Sequence, residues 1–334
     1  MSLPRINTFR HIKEPSFCTN RGPMSSFSGS SSSLDTMFNR SNFSMLTTAA
    51  PSMTMTPISP VMSGKQTLSE QAFSKALAIS LQPKIIVILV GLPASGKSTV
   101  CKQISQYLNQ GGCHSQIYNT GDVRRIEHKK TNSFDSSDYF DPTNAQAAAQ
   151  RDHFALMALD NLLLDLRLNR ISCGFLDATN TTRGRRELLF NIIESSLTKV
   201  DKVILFDVQI DSQRLVNYNI NGKAFNSDYK DKEYSYSISD FKKRTEHYHR
   251  AYQPITAEEL AGYGGLLSEY FLLKNAGDEY KMVDMNTVAG QEEKSEDPAT
   301  RLMKDFVCNY KQEHGKEYLD AVDSFYGQIE EEGN

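Results

Sequence analysis

An eight-residue segment carries the spacing of a phosphate-binding loop. Gly91-Leu-Pro-Ala-Ser-Gly-Lys-Ser98 matches the pattern G-x-x-x-x-G-K-[ST]. The glycines let backbone N–H groups converge on phosphate oxygens, and the start of a following helix adds the positive end of its dipole. We therefore predict that nucleotide phosphates bind to the residues of this loop, namely Gly91, Leu92, Pro93, Ala94, Ser95, Gly96, Lys97, Ser98 and Thr99.

Two side chains of the loop have separate predicted roles. Lys97 is placed to bridge the β- and γ-phosphates of a nucleoside triphosphate, and Ser98 is placed to bind Mg²⁺. The Asn-Lys-x-Asp signature of guanine-specific proteins does not occur in the 334 residues, which favours ATP as the nucleotide. Lys97 is predicted to be catalytic because phosphoryl transfer depends on positioning and charge neutralisation.

A second polar segment follows the apolar residues Phe175-Leu176. It runs Asp177-Ala-Thr-Asn-Thr-Thr-Arg-Gly-Arg-Arg186, and ligands of open parallel sheets bind where such strands end. Asp177 is predicted to bind Mg²⁺ or to act on the nucleophile, and both roles stay open. Thr179 and Asn180 are short polar side chains that can contact substrate hydroxyls. The arginines at the end of the segment suit phosphate binding, although a helix-capping turn with solvated arginines is the alternative.

The hydrophobic pattern indicates the elements that must position these groups. Lys84–Val90 is a β-branched run without alternation, which is typical of a central parallel strand. Further strands are predicted over 114–119, 171–176, 202–208, 270–274 and 280–284. Helices are predicted over 98–110, from Thr143 or Asn144 to 169, over 182–197, from 211, over 239–250, and as a pair after 298. Alternating strands and helices predict an α/β fold of the P-loop NTPase type, with a parallel sheet flanked by helices.

Three segments are expected along the chain. Residues 1–82 are rich in Ser, Thr, Met and Pro and predict a disordered N-terminal tail. Residues 83–290 form the P-loop domain, and 291–334 form a C-terminal helical extension. Within the tail, Thr56-Pro57 and Ser59-Pro60 suit either a regulatory protein kinase as a partner or a polyproline II linker. An Arg- and Ser-rich start is also typical of a mitochondrial presequence, but Pro4 and Glu14 interrupt the helix that this would need.

Charge and cysteine content limit the partners and the compartment. The net charge is -3, and because residues 1–66 carry six basic and two acidic side chains, the remainder carries -7. Such an acidic body predicts no nucleic-acid partner, since phosphate binding needs a surplus of Lys and Arg. No apolar run has the length of a membrane span, so no membrane partner is expected. Five scattered cysteines indicate a reducing, cytoplasmic location.

Four stretches together resemble the kinase half of the 6-phosphofructo-2-kinase/fructose-2,6-bisphosphatase family. They are the loop at 91–98, Gly121-Asp-Val-Arg-Arg125, the segment at 177–186, and Asp240-Phe-Lys-Lys-Arg-Thr-Glu-His-Tyr248. The resemblance covers roughly residues 84 to 290, and Tyr218–Tyr229 is most similar to fungal members that keep only the kinase activity. It implies ATP- and Mg²⁺-dependent phosphorylation of fructose 6-phosphate at its 2-hydroxyl, which gives fructose 2,6-bisphosphate, a regulator of glycolysis.

The resemblance also implies a set of site residues. The catalytic residues would be Lys97, Asp177 and Lys223, and the metal ligands would be Ser98 and Asp177. The side chains that match the family's fructose 6-phosphate contacts are Arg124, Arg151, Thr179, Arg185, Lys223, Arg244 and Tyr248.

The sequence departs from the bifunctional members at two points. Ile210 stands where those members have a cysteine often regarded as catalytic, and the Arg-His-Gly of the bisphosphatase half does not occur. Since only 44 residues follow position 290, we expect a kinase without bisphosphatase activity. Residue chemistry alone leaves two other functions open, a polynucleotide kinase-like enzyme and a non-enzymatic nucleotide-binding sensor.

Overall fold

A six-stranded sheet lies at the centre of the molecule. The computed structural model describes residues 68–131, 136–223, 227–229, 232–288 and 296–332. The sheet has the order β2-β3-β1-β4-β5-β6. Its strands are β1 Ile85–Val90, β2 Ser115–Asn119, β3 Cys173–Asp177, β4 Lys202–Gln209, β5 Leu267–Lys274 and β6 Glu279–Asp284. All neighbouring strands are parallel except β5 and β6, which are antiparallel.

Helices connect the parallel strands and cover both faces of the sheet. Over the described ranges they are α1 Leu68–Ser80, α2 Lys97–Gln110, α3 Thr120–Thr131, α4 Ala145–Arg167, α5 Arg183–Ser195, α6 Gln213–Lys223, α7 Tyr234–Ala251, α8 Ala257–Gly262, α9 Met285–Val288, α10 Pro298–Tyr310 and α11 Lys316–Glu332. The α/β fold with a mostly parallel sheet is therefore confirmed. Within these ranges, no helix has both the length and the apolar character to cross a membrane.

The predicted strands are confirmed to within a few residues, and so are two predicted helix starts. The side chain of Asn144 accepts a hydrogen bond from the N–H of Ala147, which caps α4. Thr182 caps α5 in the same way by accepting from the N–H of Arg185. All six residues of β1 are buried, as expected for a strand between β3 and β4.

One predicted boundary is wrong. The expected tail over 1–82 contains α1, because Leu68–Ser80 is rich in strong helix formers and its Ile79 is only 2% exposed. Residues 1–67 of that tail, with Thr56 and Ser59, lie outside the described residues. The helix α3 was not predicted, because Thr120–Thr131 is too polar to show the helical spacing of apolar residues.

The two faces of the sheet have separate cores. On one face, α4 and α5 pack buried leucine, isoleucine and phenylalanine side chains against the strands. On the other face, α2 and α10 share a core to which α10 contributes Ala299, Met303, Phe306, Val307 and Tyr310. The helix pair that was predicted after 298 is confirmed, and its first member belongs to the main core.

The position of α10 predicts a strong stability effect at Met303, which is fully buried. Met303→Ala should lower the free energy of unfolding by about 2–5 kcal/mol, because it removes packed atoms and leaves a cavity. The matched control is Asp305→Ala on the exposed side of the same helix, with an expected change within about 0.5 kcal/mol. Urea denaturation measures both. Equal effects of the two substitutions would contradict the placement of α10 in the core.

Candidate active site

Three neighbouring strands end at the same edge of the sheet. In the parallel register, Asn119 of β2 lies opposite Asp177 of β3, and Ile88 of β1 lies opposite Leu176 of β3. The phosphate-binding loop follows β1, α3 follows β2, and the turn that begins at Asp177 follows β3. This edge is the ligand-binding side of an open parallel sheet.

The backbone of the phosphate-binding loop depends on its glycines. Gly91 has a φ of 143° and Gly96 a φ of 89°, both in the region that favours glycine. A Cβ at Gly91 would also collide with the carbonyl oxygen of Val208. Because no side chain caps α2, the N–H groups of its first turn are left to bind an anion.

Lys97 lies inside the loop and is 7% exposed. Its Nζ donates to the carbonyl oxygen of Leu92 at 2.5 Å and lies 3.3 Å from Ser95 Oγ. Burial lowers the pKa of Lys97 to about 8, although the nearby carboxylates of Asp177 and Asp207 act in the opposite direction. A phosphate in the loop would return the pKa upward by adding negative charge next to the ammonium group.

Asp177 is oriented by a neighbouring strand. The Nδ2 of Asn119 donates to Asp177 Oδ2 at 2.5 Å, and the Oδ1 of Asn119 accepts from the N–H of Asp122 at 3.0 Å. Asp177 is 4% exposed, so this hydrogen bond fixes a buried carboxylate. Asn119 was not predicted, and the available signal was a polar side chain at the end of a predicted strand, two residues before Gly121-Asp-Val-Arg124.

The turn after β3 is bonded to β1. Thr179 accepts a hydrogen bond from the N–H of Gly91 at 2.9 Å through its carbonyl oxygen. The Nδ2 of Asn180 donates to the carbonyl oxygen of Leu89 at 2.7 Å, and Asn180 is 1% exposed. A substrate contact by Asn180 was therefore a wrong prediction, because its side chain is buried against β1. Thr179 stays partly exposed at the edge of the sheet.

The three arginines of this turn have different environments. Arg186 is fully buried and donates to both carboxylate oxygens of Glu259, at 2.6 and 2.7 Å. Its predicted role in phosphate binding is wrong for that reason. Arg183 pairs at the surface with Glu187. Arg185 forms an ion pair with Asp152 of α4, and its role in phosphate binding stays a prediction.

An arginine cluster lies beside this turn and is formed by Arg124 and Arg125 of α3 and Arg244 of α7. All three surround the carboxylate of Asp228. Nη2 of Arg124 lies 2.7 Å from Asp228 Oδ2, Nη1 of Arg244 lies 3.4 Å from the same oxygen, and Nη1 of Arg125 lies 3.4 Å from Oδ1. The structure thus brings together Arg124 and Arg244, which were predicted to contact the same substrate. Asp228 was not predicted.

An aromatic platform supports the cluster. The guanidinium of Arg244 lies 3.9 Å from the ring centre of Phe140, and that of Arg124 lies 5.3 Å from it. The ring centre of Tyr248 lies 5.7 Å from that of Phe140. Arg151 donates to the carbonyl oxygen of the adjacent Tyr139. Arg151 and Tyr248 are therefore placed next to the cluster, as their predicted common role requires.

Lys223 ends α6 and completes the group of charges. Burial lowers its pKa, Asp177 raises it, and Arg244 lowers it further. Asp177, Lys223 and Arg244 also act on the pKa of Lys97. The predicted catalytic side chains are therefore close enough to share one electrostatic environment.

A further carboxylate, Asp207, lies at the end of β4 opposite Val90 of β1. It is fully buried and accepts from Gln209 Nε2 at 2.7 Å and from the Tyr270 hydroxyl at 3.3 Å. Burial raises the pKa of Asp207 to about 6, against the opposite effects of these hydrogen bonds. The apolar run in which it lies gave no sign of this environment.

Comparison with known proteins gives a family match over most of the described domain. The sequence profile of the family described as 6-phosphofructo-2-kinase matches residues 75–263. The chain is 36% identical over 181 residues to 6-phosphofructo-2-kinase 1 of Saccharomyces cerevisiae, which covers 54% of this chain and 22% of that protein. A probable 6-phosphofructo-2-kinase of Schizosaccharomyces pombe is 33% identical over 53% of this chain and 26% of its own length.

A bifunctional relative matches at a similar level. The 6-phosphofructo-2-kinase/fructose-2,6-bisphosphatase 3 of Homo sapiens is 31% identical over 52% of this chain and 32% of that protein. The chain thus spans about a fifth to a third of the length of these relatives. A solved structure from a study of the PezAT toxin-antitoxin system of Streptococcus pneumoniae covers 80% of this chain and 98% of that chain, at 15% identity and a TM-score of 0.38, too low to support an argument.

The raised pKa of Asp207 predicts a pH-dependent stability difference. In the unfolded chain this carboxyl titrates near 3.8 and in the folded protein near 6, so the folded state holds an extra proton between these values. Stability from this group is therefore lost as the pH rises through that window. Relative to Asp207→Asn, the wild type should lose about 1–2 kcal/mol of unfolding free energy between pH 5.0 and 7.5. Urea denaturation at both pH values measures this, and a difference that does not change with pH would contradict it.

Proposed function

The chain belongs to the 6-phosphofructo-2-kinase family, and from this membership we propose that it transfers the γ-phosphoryl group of ATP to the 2-hydroxyl of fructose 6-phosphate. The product would be fructose 2,6-bisphosphate, a regulator of glycolysis. We assign this activity to a domain over 83–290, to which α10 adds part of the core. Three buried, unpaired thiols, Cys101, Cys113 and Cys173, favour the reducing cytoplasm as its location.

One observation carries the proposal: a nucleotide-binding loop, a fixed carboxylate and an arginine cluster lie at one edge of the sheet. The loop follows β1, Asp177 ends β3, and Arg124 lies in the helix that directly follows β2. In the order β2-β3-β1, the strand that ends with Asp177 lies between the strand that leads into the loop and the strand that leads into the helix of Arg124, which supports the proposal. A reaction that joins a nucleotide phosphate to a phosphorylated sugar needs this arrangement, because both anions must be held on either side of the reacting atoms.

The loop residues would bind the nucleotide. The N–H groups at the start of α2 would hold phosphate oxygens, and Lys97 would bridge the β- and γ-phosphates. Among the described residues, no group of three or more His, Cys, Asp and Glu side chains could hold a metal ion. A Mg²⁺ shared with the nucleotide needs fewer protein ligands, and Ser98 and Asp177 have the oxygen donors that it prefers. When bound, Mg²⁺ would neutralise charge on the β- and γ-phosphates.

The arginine cluster would bind the 6-phosphate of the sugar, with Arg151 and Arg185 beside it. Charge-assisted hydrogen bonds of this kind are worth about 1.5–3 kcal/mol each. Thr179, Tyr248 and Lys223 are the neighbouring polar groups that we assign to the sugar hydroxyls and the transferred phosphate. The 2-hydroxyl would then face the loop from the side of Asp177.

The chemistry would require little from the protein beyond positioning. In the reaction, the bond between O2 and the γ-phosphorus forms while the bond between this phosphorus and the β–γ bridging oxygen breaks, and ADP leaves. The 2-hydroxyl belongs to a hemiketal and is more acidic than an ordinary alcohol. Its proton passes to Asp177 or to water, and Asn119 keeps the carboxylate in place for either case. Lys97 and Lys223 would spread the charge that develops on the transferred group.

The proposal concerns the kinase reaction. The 334 residues contain no Arg-His-Gly sequence, so we propose that they carry no bisphosphatase activity. The product should therefore accumulate when the protein is incubated with its substrates, and this supplies the first test.

We expect purified protein with Mg-ATP and fructose 6-phosphate to form a sugar bisphosphate that hydrolyses in mild acid, because phosphate on an anomeric carbon is acid-labile. Lys97→Ala and Asp177→Ala should lower kcat by at least about 100-fold, since each removes charge stabilisation in the transition state. The control is Lys102→Ala, an exposed cation on the same helix as Lys97, with an expected change below about twofold. An acid-stable product, or full activity of Lys97→Ala, would refute the proposed reaction.

Substrate binding is tested separately at the arginine cluster. Arg244→Ala should raise the KM for fructose 6-phosphate about 10- to 100-fold, since a charge-assisted bond of about 1.5–3 kcal/mol is lost. The KM for ATP should change less than about twofold. Lys243→Ala is the matched control, because it removes the neighbouring, exposed positive charge of α7. Steady-state kinetics with each substrate varied in turn measures the KM for fructose 6-phosphate and the KM for ATP of both variants. Equal effects of the two substitutions on the KM for fructose 6-phosphate would refute the assignment.

A further inference from the structure

The carboxylate within the arginine cluster is held from outside the cluster. Asp228 lies in a short turn at 227–229. The next residue, Tyr229, is 5% exposed, and its hydroxyl donates to Asp240 Oδ2 at 2.8 Å. The other oxygen of Asp240 accepts from the N–H of Ser137 at 3.0 Å, at the start of the turn that carries Phe140. One buried carboxylate therefore fixes both the segment of Asp228 and the platform under the arginines.

Asp228 also offsets the repulsion within the arginine cluster. Arg124 and Arg244 approach the same oxygen, Oδ2, and Arg125 approaches Oδ1. Three guanidinium groups in a partly buried position repel one another, because the local dielectric is lower than that of water. Burial alone would raise the pKa of Asp228, but Arg124, Arg244 and Arg125 together lower it. The carboxylate therefore stays ionised at neutral pH.

We propose that Asp228 is a positioning residue that prepares the arginine cluster for a phosphate monoester dianion. It holds Arg124 and Arg244 on a single oxygen, so that both guanidinium groups are oriented before the substrate arrives. It also offsets one of the three positive charges of the cluster, while Asp122 pairs with Arg125 at 2.6 Å. The inference rests on the proposed function and adds to it a residue that the family resemblance did not include.

Asp228 could instead compete with the substrate phosphate for the arginines, but its anchored position argues against such competition. A carboxylate that the phosphate displaces would have to leave the cluster, whereas Tyr229 and Asp240 hold its segment in place. A carboxylate oxygen of Asp228 lies within 3.4 Å of a nitrogen of each arginine in the cluster. A fixed counterion of this kind lowers the entropy that the arginines lose on binding, which strengthens binding without a contact of its own to the ligand.

The test is direct binding by calorimetry without nucleotide at pH 7.5, with fructose 6-phosphate and with inorganic phosphate as probes. Asp228→Asn keeps the shape of the side chain but removes its charge, and we expect about tenfold weaker binding of fructose 6-phosphate. Asp228→Glu restores the charge and should recover part of the affinity. In steady-state assays, the KM for fructose 6-phosphate should rise more than kcat falls, and the KM for ATP should change less than about twofold.

The control is Asp138→Asn, which removes an exposed negative charge from the turn that carries Phe140. Asp138 forms no ion pair within the described part of the chain, so its variant should bind like the wild type. Urea denaturation checks that each variant is folded, and Asp228→Ser replaces Asp228→Asn if the latter does not fold. Unchanged binding by the folded, uncharged variant would overturn the proposal. Tighter binding would also overturn it, because the carboxylate would then be a competitor of the phosphate.

The same measurements separate this inference from the proposed function. If the wild type binds fructose 6-phosphate but forms no bisphosphate, the proposed reaction fails, and the comparison of binding between Asp228→Asn and the wild type still decides the role of Asp228. If the wild type binds neither fructose 6-phosphate nor inorganic phosphate, the cluster is not a phosphate site and the inference about Asp228 is overturned.

Discussion

The site depends on two hydrogen bonds that join the ends of β1 and β3. The N–H of Gly91 donates to the carbonyl oxygen of Thr179, and the side chain of Asn180 donates to the carbonyl oxygen of Leu89. The first bond sets the start of the phosphate-binding loop against the turn that begins at Asp177. The proposed nucleotide site follows β1 and the proposed catalytic carboxylate ends β3. A shift of this turn would therefore move the carboxylate relative to the phosphates, and misplacement of reacting groups is costly in phosphoryl transfer.

The buried ion pair of Arg186 and Glu259 holds the same turn in place. Arg186 donates to the carbonyl oxygens of Asn180 and Gln253 as well as to both oxygens of Glu259. Burying such a pair costs desolvation energy, and the loss of one partner typically destabilises a protein by about 3–5 kcal/mol. The turn can keep the left-handed conformation of Asn180, with a φ of 44°, because these bonds determine it. Three arginines within four residues thus have three different environments, which their charge alone could not reveal.

The sequence predicted the parts of the site that are local. The phosphate-binding loop is a contiguous motif, and Asp177 directly follows an apolar strand, so each could be identified from neighbouring residues. Asn119, Asp228 and Phe140 contact partners that are distant in the chain. Arg124 and Asp228, for example, are 104 positions apart. Only the folded sheet brings them together, and no pattern of period 2 or 3.6 reports such pairs. The sugar substrate likewise came from the family resemblance, since the residue chemistry alone also allowed a polynucleotide kinase-like enzyme or a nucleotide sensor.

The arrangement of charge supports the proposal that this acidic protein binds a small anion. Outside residues 1–66 the chain carries -7, yet Lys97, Lys223, Arg124 and Arg244 converge at one edge of the sheet. At physiological ionic strength, charges act over about 8 Å, so a ligand inside the site experiences these cations and little of the distant acidic surface. A long polyanion extends beyond that distance and meets the acidic surface as well. The sugar phosphate that we propose as the substrate is shorter than such a polyanion, and in this proposal the carboxylate of Asp228 holds the arginines in place for it.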